Sequence, residues 1–294
     1  MMNMTQKYTW IGLSSILIWA SLVAVVKLIT DDLTPISGIA LIYTFSAFAI
    51  LILNKFPSIR QMPKSYLYGC GALFVGYEIL FLIAIAFSHS HEEVLVIAMI
   101  NYLWPPITIL FSIFAQQLKF HWLVIVGFVI AVVGLLLVVN PKIFEFARFS
   151  TIIMQNPKAY AFAFIGALLW PSYSVLTKKY AQGFNAVPLF FLVTAFTLWG
   201  LHFYLGESFI LPSLPMWLLI IMTGSLIGIA YSNWNQSIQF GNIQLLILAT
   251  YFMPILSSLM SMMILNVYPS ISFWMGSLLV SIGALICWKS TSEV

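Results

Sequence analysis

The chain has 294 residues, of which 62% are hydrophobic and only 7% are charged. Because a soluble domain carries roughly 25% charged residues, this composition excludes a soluble globular protein and indicates a polytopic membrane protein. The net charge of +4 comes from scattered basic residues that form no basic stripe, so we predict no nucleic-acid partner.

Apolar segments of about 20 residues, the length that crosses a bilayer as a helix, follow one another along the whole chain. We place ten of them, at 9–29, 36–53, 65–87, 94–116, 122–139, 157–178, 186–205, 215–238, 243–265 and 271–288. The longest connection, 140–156, divides the chain into an N-terminal half (1–146) and a C-terminal half (147–294). The sequence therefore predicts an all-α integral membrane protein that forms one transmembrane domain.

The basic residues of the short connections predict the orientation, because cytoplasmic loops carry an excess of Lys and Arg. With the N-terminus inside, the external side receives Lys27, Lys142, Arg148 and Lys158. The cytoplasmic side receives the larger number: Lys7, Lys55, Arg60, Lys64, Lys119, Lys178, Lys179 and Lys289. We therefore expect both termini in the cytoplasm.

The two halves repeat one another. Trp19-x-Ser21 followed by Lys27 in the first span matches Trp170-x-Ser172 followed by Lys178 in the sixth. The other four pairs of spans match at nearly the same separation: Ser46-Ala47-Phe48 with Thr194-Ala195-Phe196, Ala72-x-x-x-Gly76 with Gly224-x-x-x-Gly228, Tyr102-x-x-Pro105 with Tyr251-x-x-Pro254, and Gly127 and Gly134 with Gly276 and Gly283. The small-residue motifs predict close packing of the third and eighth spans.

A unit of five spans is odd, so its second copy enters the membrane from the opposite side. The sequence thus predicts two inverted five-helix repeats around a central cavity, an arrangement typical of secondary transporters whose site lies near the bilayer midplane.

Prolines interrupt several spans. Pro105 and Pro106 remove two backbone donors, which leaves the carbonyls of Asn101 and Tyr102 without their usual helical partners. In lipid such groups must be satisfied by protein, water or a ligand. Pro254 and Pro171 predict further helix breaks, and all these breaks lie beside aromatic side chains.

Glu78 is an acidic residue that lies deep inside the third span. Inserting an ionised carboxylate at such a depth in the membrane costs about 2.5–3.5 kcal/mol. We expect it to face the cavity or to pair with a polar group, as a partner for a substrate ammonium, a proton site or a hydrogen-bonded structural acid. Asn101 is a candidate to bind a polar head group, or equally to join two helices. Eight rings complete the predicted substrate site, although any one of them has packing as its alternative role: Trp19, Tyr77, Tyr102, Trp104, Trp170, Tyr231, Trp234 and Tyr251.

Nucleotide-binding, esterase and metalloprotease motifs are missing from the sequence. We therefore predict no catalytic residue, cofactor or metal site, and an integral-membrane enzyme or a channel stays as the alternative of a different class.

Three segments carry a resemblance to a known family: Gly76-Tyr77-Glu78, Asn101-Tyr102-Leu103-Trp104-Pro105 and Lys179-Tyr180-Ala181-x-Gly183-Phe184-Asn185. With the paired Trp-x-Ser motifs, the chain resembles the drug/metabolite transporter superfamily with EamA-type repeats, and within it the bacterial inner-membrane aromatic amino acid exporters. The resemblance covers the whole chain, with one departure at Pro171-Ser172, where the family has small residues.

The resemblance implies a basket of helices that exports phenylalanine, tyrosine, tryptophan and some other solutes. It places the cavity aromatics on Tyr77, Tyr102, Trp104 and Trp170. We therefore expect a monomeric exporter of aromatic amino acids in the bacterial inner membrane, with lipid around it and alternating access as its mechanism. Drugs, cationic toxins, nucleosides and sugar derivatives are the alternative substrates.

Overall fold

The computed structural model describes residues 4–54, 58–139 and 146–290, except for the side chains of residues 146–149, 235, 238, 239, 243, 244, 247 and 248. Lys55, Lys142 and the side chain of Arg148, which enter the predicted charge asymmetry, lie outside the described residues. The regular structure of the described ranges is helical. The α-helices are α1 Met4–Asp32, α2 Pro35–Leu53, α3 Gly71–Ala86, α4 His91–Asn101, α5 Trp104–Phe114, α6 Leu123–Val139, α7 Phe146–Gln155, α8 Pro157–Tyr180, α9 Val187–Leu205, α10 Leu214–Phe240, α11 Ile243–Thr250, α12 Met253–Leu265 and α13 Ile271–Lys289.

Eight helical segments of the described chain are long and apolar enough to cross a membrane, counting α4 with α5 and the π-helix Ser65–Cys70 with α3. The two remaining predicted spans fall on the shorter apolar helices α6 and α12. α6 packs along its full-length neighbour α13, and α11 precedes α12 to complete the ninth span. The predicted fold class is confirmed.

Two spans are broken at equivalent places. α4 ends at Asn101, and α5 starts at Trp104 with proline in its first turn. α11 ends at Thr250, and α12 starts at Met253, again with proline in its first turn. Proline is favoured there because the first backbone N–H groups of a helix have no intrahelical partner to lose.

The last helix of each half forms the closest joint between the halves. A Cβ added at Gly127 would lie 2.6 Å from the carbonyl oxygen of Gly283, and one at Gly134 would lie 2.6 Å from that of Gly276. Gly127 thus meets the later glycine of α13 and Gly134 the earlier one, so α6 and α13 run antiparallel. This direction is the one that inverted repeats require for the fifth and tenth spans.

The neighbours of other helices follow the same pseudo-symmetry. α1 packs on α10 and α12, and its counterpart α8 packs on α3 and α5. The first helix of each half therefore lies against helices of the other half. The interface between the halves is therefore formed by helices of both.

The predicted packing of the third and eighth spans is wrong. In α10, Gly224 and Gly228 contact the backbone of α2, where an added Cβ would lie 2.5 Å from Ile42 O and 2.8 Å from Ser46 O. In α3, Ala72 is exposed and Gly76 faces Leu169 of α8. Small residues allow close approach to any helix. The motif therefore does not determine the packing partner, which depends on the arrangement of the bundle.

The connection between the halves contains a short helix. α7 occupies part of the segment 140–156 that the sequence treats as the divide, and Asn156 caps the next helix by accepting from Ala159 N at 3.3 Å. The predicted boundary at residue 146 falls in the first turn of α7, and the division into two repeats at that residue stays a prediction.

Candidate functional site

A cavity of about 490 Å³ lies between the two halves. Helices α1, α3, α4, α5 and α8 contribute to its wall together with α10, α12 and α13. All ten predicted binding residues line it: Trp19, Tyr77, Glu78, Asn101, Tyr102, Trp104, Trp170, Tyr231, Trp234 and Tyr251. The structure brings them together, and their role in binding stays a prediction.

The two helix breaks position several side chains of this wall. α4 ends at Asn101, so Tyr102 and Leu103 form the turn into α5 and Trp104 begins the new helix. Tyr251 lies in the equivalent turn between α11 and α12. Each turn brings a tyrosine to the cavity.

The predicted prolines have different places. Pro105 and Pro106 lie in the first turn of α5 and Pro254 in that of α12, and Pro105 also lines the cavity. The break predicted at Pro171 is not present, because α8 is continuous from Pro157 to Tyr180. A single proline removes one bond of the ladder, and neighbouring helices hold a membrane helix together across such a gap.

The cavity rings form two matching contacts between the halves. Trp19 of α1 meets Tyr231 of α10 with ring centroids 5.1 Å apart, and Trp170 of α8 meets Tyr77 of α3 at 4.9 Å. Trp234 adds a further ring 5.3 Å from Trp19. These separations fall in the range of about 4.5–7 Å at which aromatic pairs attract one another.

Glu78 lies in this ring-lined wall and is 4% exposed. Its Oε1 accepts a hydrogen bond from the Tyr231 hydroxyl at 2.6 Å, and its Oε2 accepts one from the Tyr43 hydroxyl. The two alternatives foreseen for an acid inside a span therefore both apply, because Glu78 faces the cavity and is also paired with polar groups. Two phenol donors give this buried acid hydrogen-bond partners in the low-dielectric interior.

Two polar atoms of the wall have no hydrogen-bond partner among the described residues. They are the indole Nε1 of Trp19, a donor, and the side-chain Oδ1 of Asn101, an acceptor. The amide nitrogen of Asn101 donates to the Tyr77 hydroxyl at 3.4 Å. Buried polar groups are rarely left unsatisfied without a reason. A bound solute with both donors and acceptors would satisfy these two.

Several wall residues were not foreseen from the sequence. Thr108 and Ser174 lie four residues after Trp104 and Trp170, so the period of the helix could have suggested them. Thr250 directly precedes Tyr251 at the end of α11. Trp288, near the end of α13, has its ring 6.1 Å from Tyr251. Tyr43 lies behind the wall and bonds to Glu78 from α2, a span without a helix break. No local pattern marks these last two.

Comparison with known proteins agrees with this architecture. Residues 157–288, the second five-span unit, match the EamA-like transporter family. The aromatic amino acid exporter YddG of Escherichia coli (strain K12) is 36% identical over 287 residues, which are 97% of this chain and 98% of that protein. The chain belongs to the EamA-like transporter family.

Two further comparisons extend the match. The aromatic amino acid exporter YddG of Salmonella typhimurium is 34% identical over 293 residues, 98% of both chains. A solved crystal structure with 26% identity covers 95% of this EamA-like chain and 96% of its own, at a TM-score of 0.67. The resemblance noted in the sequence is confirmed at the level of the family.

Proposed function

We propose that this EamA-like transporter exports aromatic amino acids, namely phenylalanine, tyrosine and tryptophan together with some other amino acids, from the bacterial cytoplasm. The observation that carries the proposal is a cavity between two inverted halves whose wall combines many rings with one buried carboxylate. Its volume of about 490 Å³ is in the range of about 300–1,000 Å³ typical of small-molecule sites. The names of the two YddG relatives support the same substrate class.

Each part of the substrate has a partner in this wall. The side-chain ring packs between the tryptophan–tyrosine contacts, where burial of aromatic area stabilises it. The ammonium is received by Glu78 and by the acceptor Oδ1 of Asn101, and the carboxylate by the indole N–H of Trp19. Rocking of the two halves about the cavity then exposes the substrate to one side of the membrane at a time.

The protein then lies in the bacterial inner membrane as a monomer, with both termini in the cytoplasm. Transport involves no chemical step, and the solute leaves unaltered. Chromatography of the transported solute, recovered intact, separates this mechanism from that of a membrane enzyme. Unitary currents across a planar bilayer would instead indicate a channel.

Transport in proteoliposomes tests the substrate. Purified protein is reconstituted, and the counterflow of radiolabelled phenylalanine is followed with tyrosine, tryptophan, alanine, a nucleoside and a cationic dye as competitors. We expect tyrosine and tryptophan to compete most strongly, because each places a ring in the cavity. Competition by the nucleoside or the dye alone, with none from any amino acid, would replace this function by export of other metabolites or drugs.

A further inference from the structure

The two oxygens of Glu78 are held from the two halves of the protein. Tyr43 of α2 reaches Oε2, and Tyr231 of α10 reaches Oε1 at 2.6 Å. Tyr43 is fully buried behind the wall and stacks on Phe191 with centroids 5.4 Å apart. Tyr231 is part of the cavity wall. One hydrogen bond of Glu78 is therefore sealed from the cavity, and the other borders it.

Glu78 takes part in none of the ion pairs among the residues that the structure describes. A carboxylate only accepts hydrogen bonds, and a neutral phenol brings it one donor. An ammonium brings three donors and a full positive charge, so it is the stronger partner in a low-dielectric site. A cation that enters the cavity can compete for Oε1 but not for Oε2.

We propose that the Tyr231 hydroxyl occupies Glu78 only while the cavity is empty and yields Oε1 to the ammonium of the substrate. Tyr43 acts as a positioning residue that keeps the carboxylate turned toward the cavity. The exchange removes a hydrogen bond between α3 and α10, which belong to different halves, so that binding loosens the contact that rocking must break. The inference rests on the proposed function and deepens it, because it assigns recognition of the amino group to one exchangeable bond.

Titration calorimetry on the purified wild-type protein and on the Tyr231→Phe variant tests this exchange. Each protein is titrated with phenylalanine and with 3-phenylpropionate, which lacks the amino group. Tyr231→Phe keeps the ring and removes the competing hydroxyl. We expect it to bind phenylalanine about tenfold more tightly, the factor of one hydrogen bond to a charged group, and 3-phenylpropionate unchanged.

Two further variants separate positioning from packing. Tyr43→Phe should weaken phenylalanine binding without affecting 3-phenylpropionate, because Glu78 loses the bond that orients it. Tyr77→Phe is the matched control, since its hydroxyl contacts Asn101 and not Glu78, so it should not tighten phenylalanine binding. Weaker phenylalanine binding by Tyr231→Phe, or an equal change for both ligands, would overturn the inference alone. A wild-type protein that binds neither phenylalanine nor tryptophan would overturn the proposed function as well.

A separate set of polar contacts closes one face of the molecule. Lys27 near the end of α1 is buried, lies 2.6 Å from Asp31 and donates to Ser88 O at 2.8 Å. Asp31 is 3.1 Å from Nε2 of His91, whose Nδ1 lies 3.2 Å from the carbonyl oxygen of Leu265 in the other half. This chain of contacts joins the ends of α1 and α12, the start of α4 and the loop before α4.

The opposite face is different, although the repeat provides equivalent positions. Lys178 corresponds to Lys27 and is exposed, and Gln182 stands where Asp31 would be. The cavity extends to Leu118 and Trp288 on this face. On the other side it reaches Val23, one turn of α1 short of Lys27.

We infer that the contacts of Lys27, Asp31 and His91 form a latch that closes the external face while the cavity is open toward the cytoplasm. At the position equivalent to Asp31 the repeat has the neutral Gln182, so the carboxylate of the external latch is not repeated there. An exporter that waits for substrate on the cytoplasmic side needs this asymmetry.

Cysteine labelling tests the latch without any substrate. A Val23→Cys variant is treated with a membrane-impermeant maleimide in right-side-out and in inside-out vesicles, with the wild-type protein as background. We expect labelling from the cytoplasmic side only. Adding Asp31→Asn or the isosteric Lys27→Met should raise external labelling severalfold, and adding Lys178→Met should not. External labelling that stays at background in both latch variants, while cytoplasmic labelling persists, would overturn the inference.

Discussion

At the scale of single residues, Trp19 and Trp170 of the cavity are each supported by a tyrosine of the other half. Trp170 lies 4.9 Å from Tyr77 and 5.3 Å from Tyr173, so its indole is held by rings on two sides. Tyr102 is buried in the turn between α4 and α5. A ring that is held in this way offers a preformed surface to an aromatic solute, at little entropic cost.

Trp170→Ala and Tyr102→Ala should therefore each impair export and leave membrane insertion unchanged. An aromatic contact contributes about 0.5–1.5 kcal/mol beyond the area it buries, so we expect KM for phenylalanine to rise about tenfold. The measurement is concentration-dependent transport in proteoliposomes with matched protein amounts. Trp122→Ala is the control, because Trp122 is 60% exposed and lies outside the cavity wall. Normal transport by both cavity variants would make these rings packing residues.

The residues of the wall differ in how far the sequence reveals them. Trp19 and Trp170 are marked by their repeated motif, and Tyr102 and Tyr251 by the prolines that follow them. Glu78 is marked by the cost of an acid inside a span. Tyr43 has no such mark, because its importance comes only from the approach of α2 to α3 in the folded bundle.

At the scale of helices, proline and glycine carry different amounts of information. The paired prolines Pro105 and Pro106 coincide with a helix break. Pro254, whose equivalent in the first half is Pro105, coincides with another. Pro171 has no equivalent in the first half, and α8 is continuous through it. Glycines show that close packing occurs but not with which helix, as α10 demonstrates by packing on α2.

The glycine joint between α6 and α13 should be the least tolerant part of the helix packing. A Cβ at Gly134 would lie 2.6 Å from Gly276 O, so Gly134→Ala must push the two backbones apart. Overpacking of this kind costs about 1–3 kcal/mol, and we expect a lower Tm in detergent. Gly200→Ala in α9 is the matched control, because no atom lies within 4 Å of the added Cβ. An equal Tm for both variants would contradict the close approach of α6 and α13.

At the scale of the whole molecule, the polar contacts agree on which helix ends share a face. Glu207, after α9, accepts from the backbone N–H groups of Ile36 and Ser37 at the start of α2, at 3.2 Å. The Tyr66 hydroxyl, in the π-helix before α3, accepts from Ala186 N just before α9. The start of α2 and the end of α9 therefore lie on one face, and the starts of α3 and α9 on the other, as alternation of ten spans requires.

This alternation makes a prediction for the intact protein. Since basic residues favour the cytoplasmic side, both termini should lie there and the segment around Glu207 should lie outside. Alkaline phosphatase folds only outside the cytoplasm, so we expect it to be inactive when fused after residue 290 and active when fused after Glu207. A green fluorescent protein at the same two positions should give the reverse pattern. Phosphatase activity at the C-terminal position would invert the orientation, and the cavity would then open to the exterior instead of to the source of its substrate.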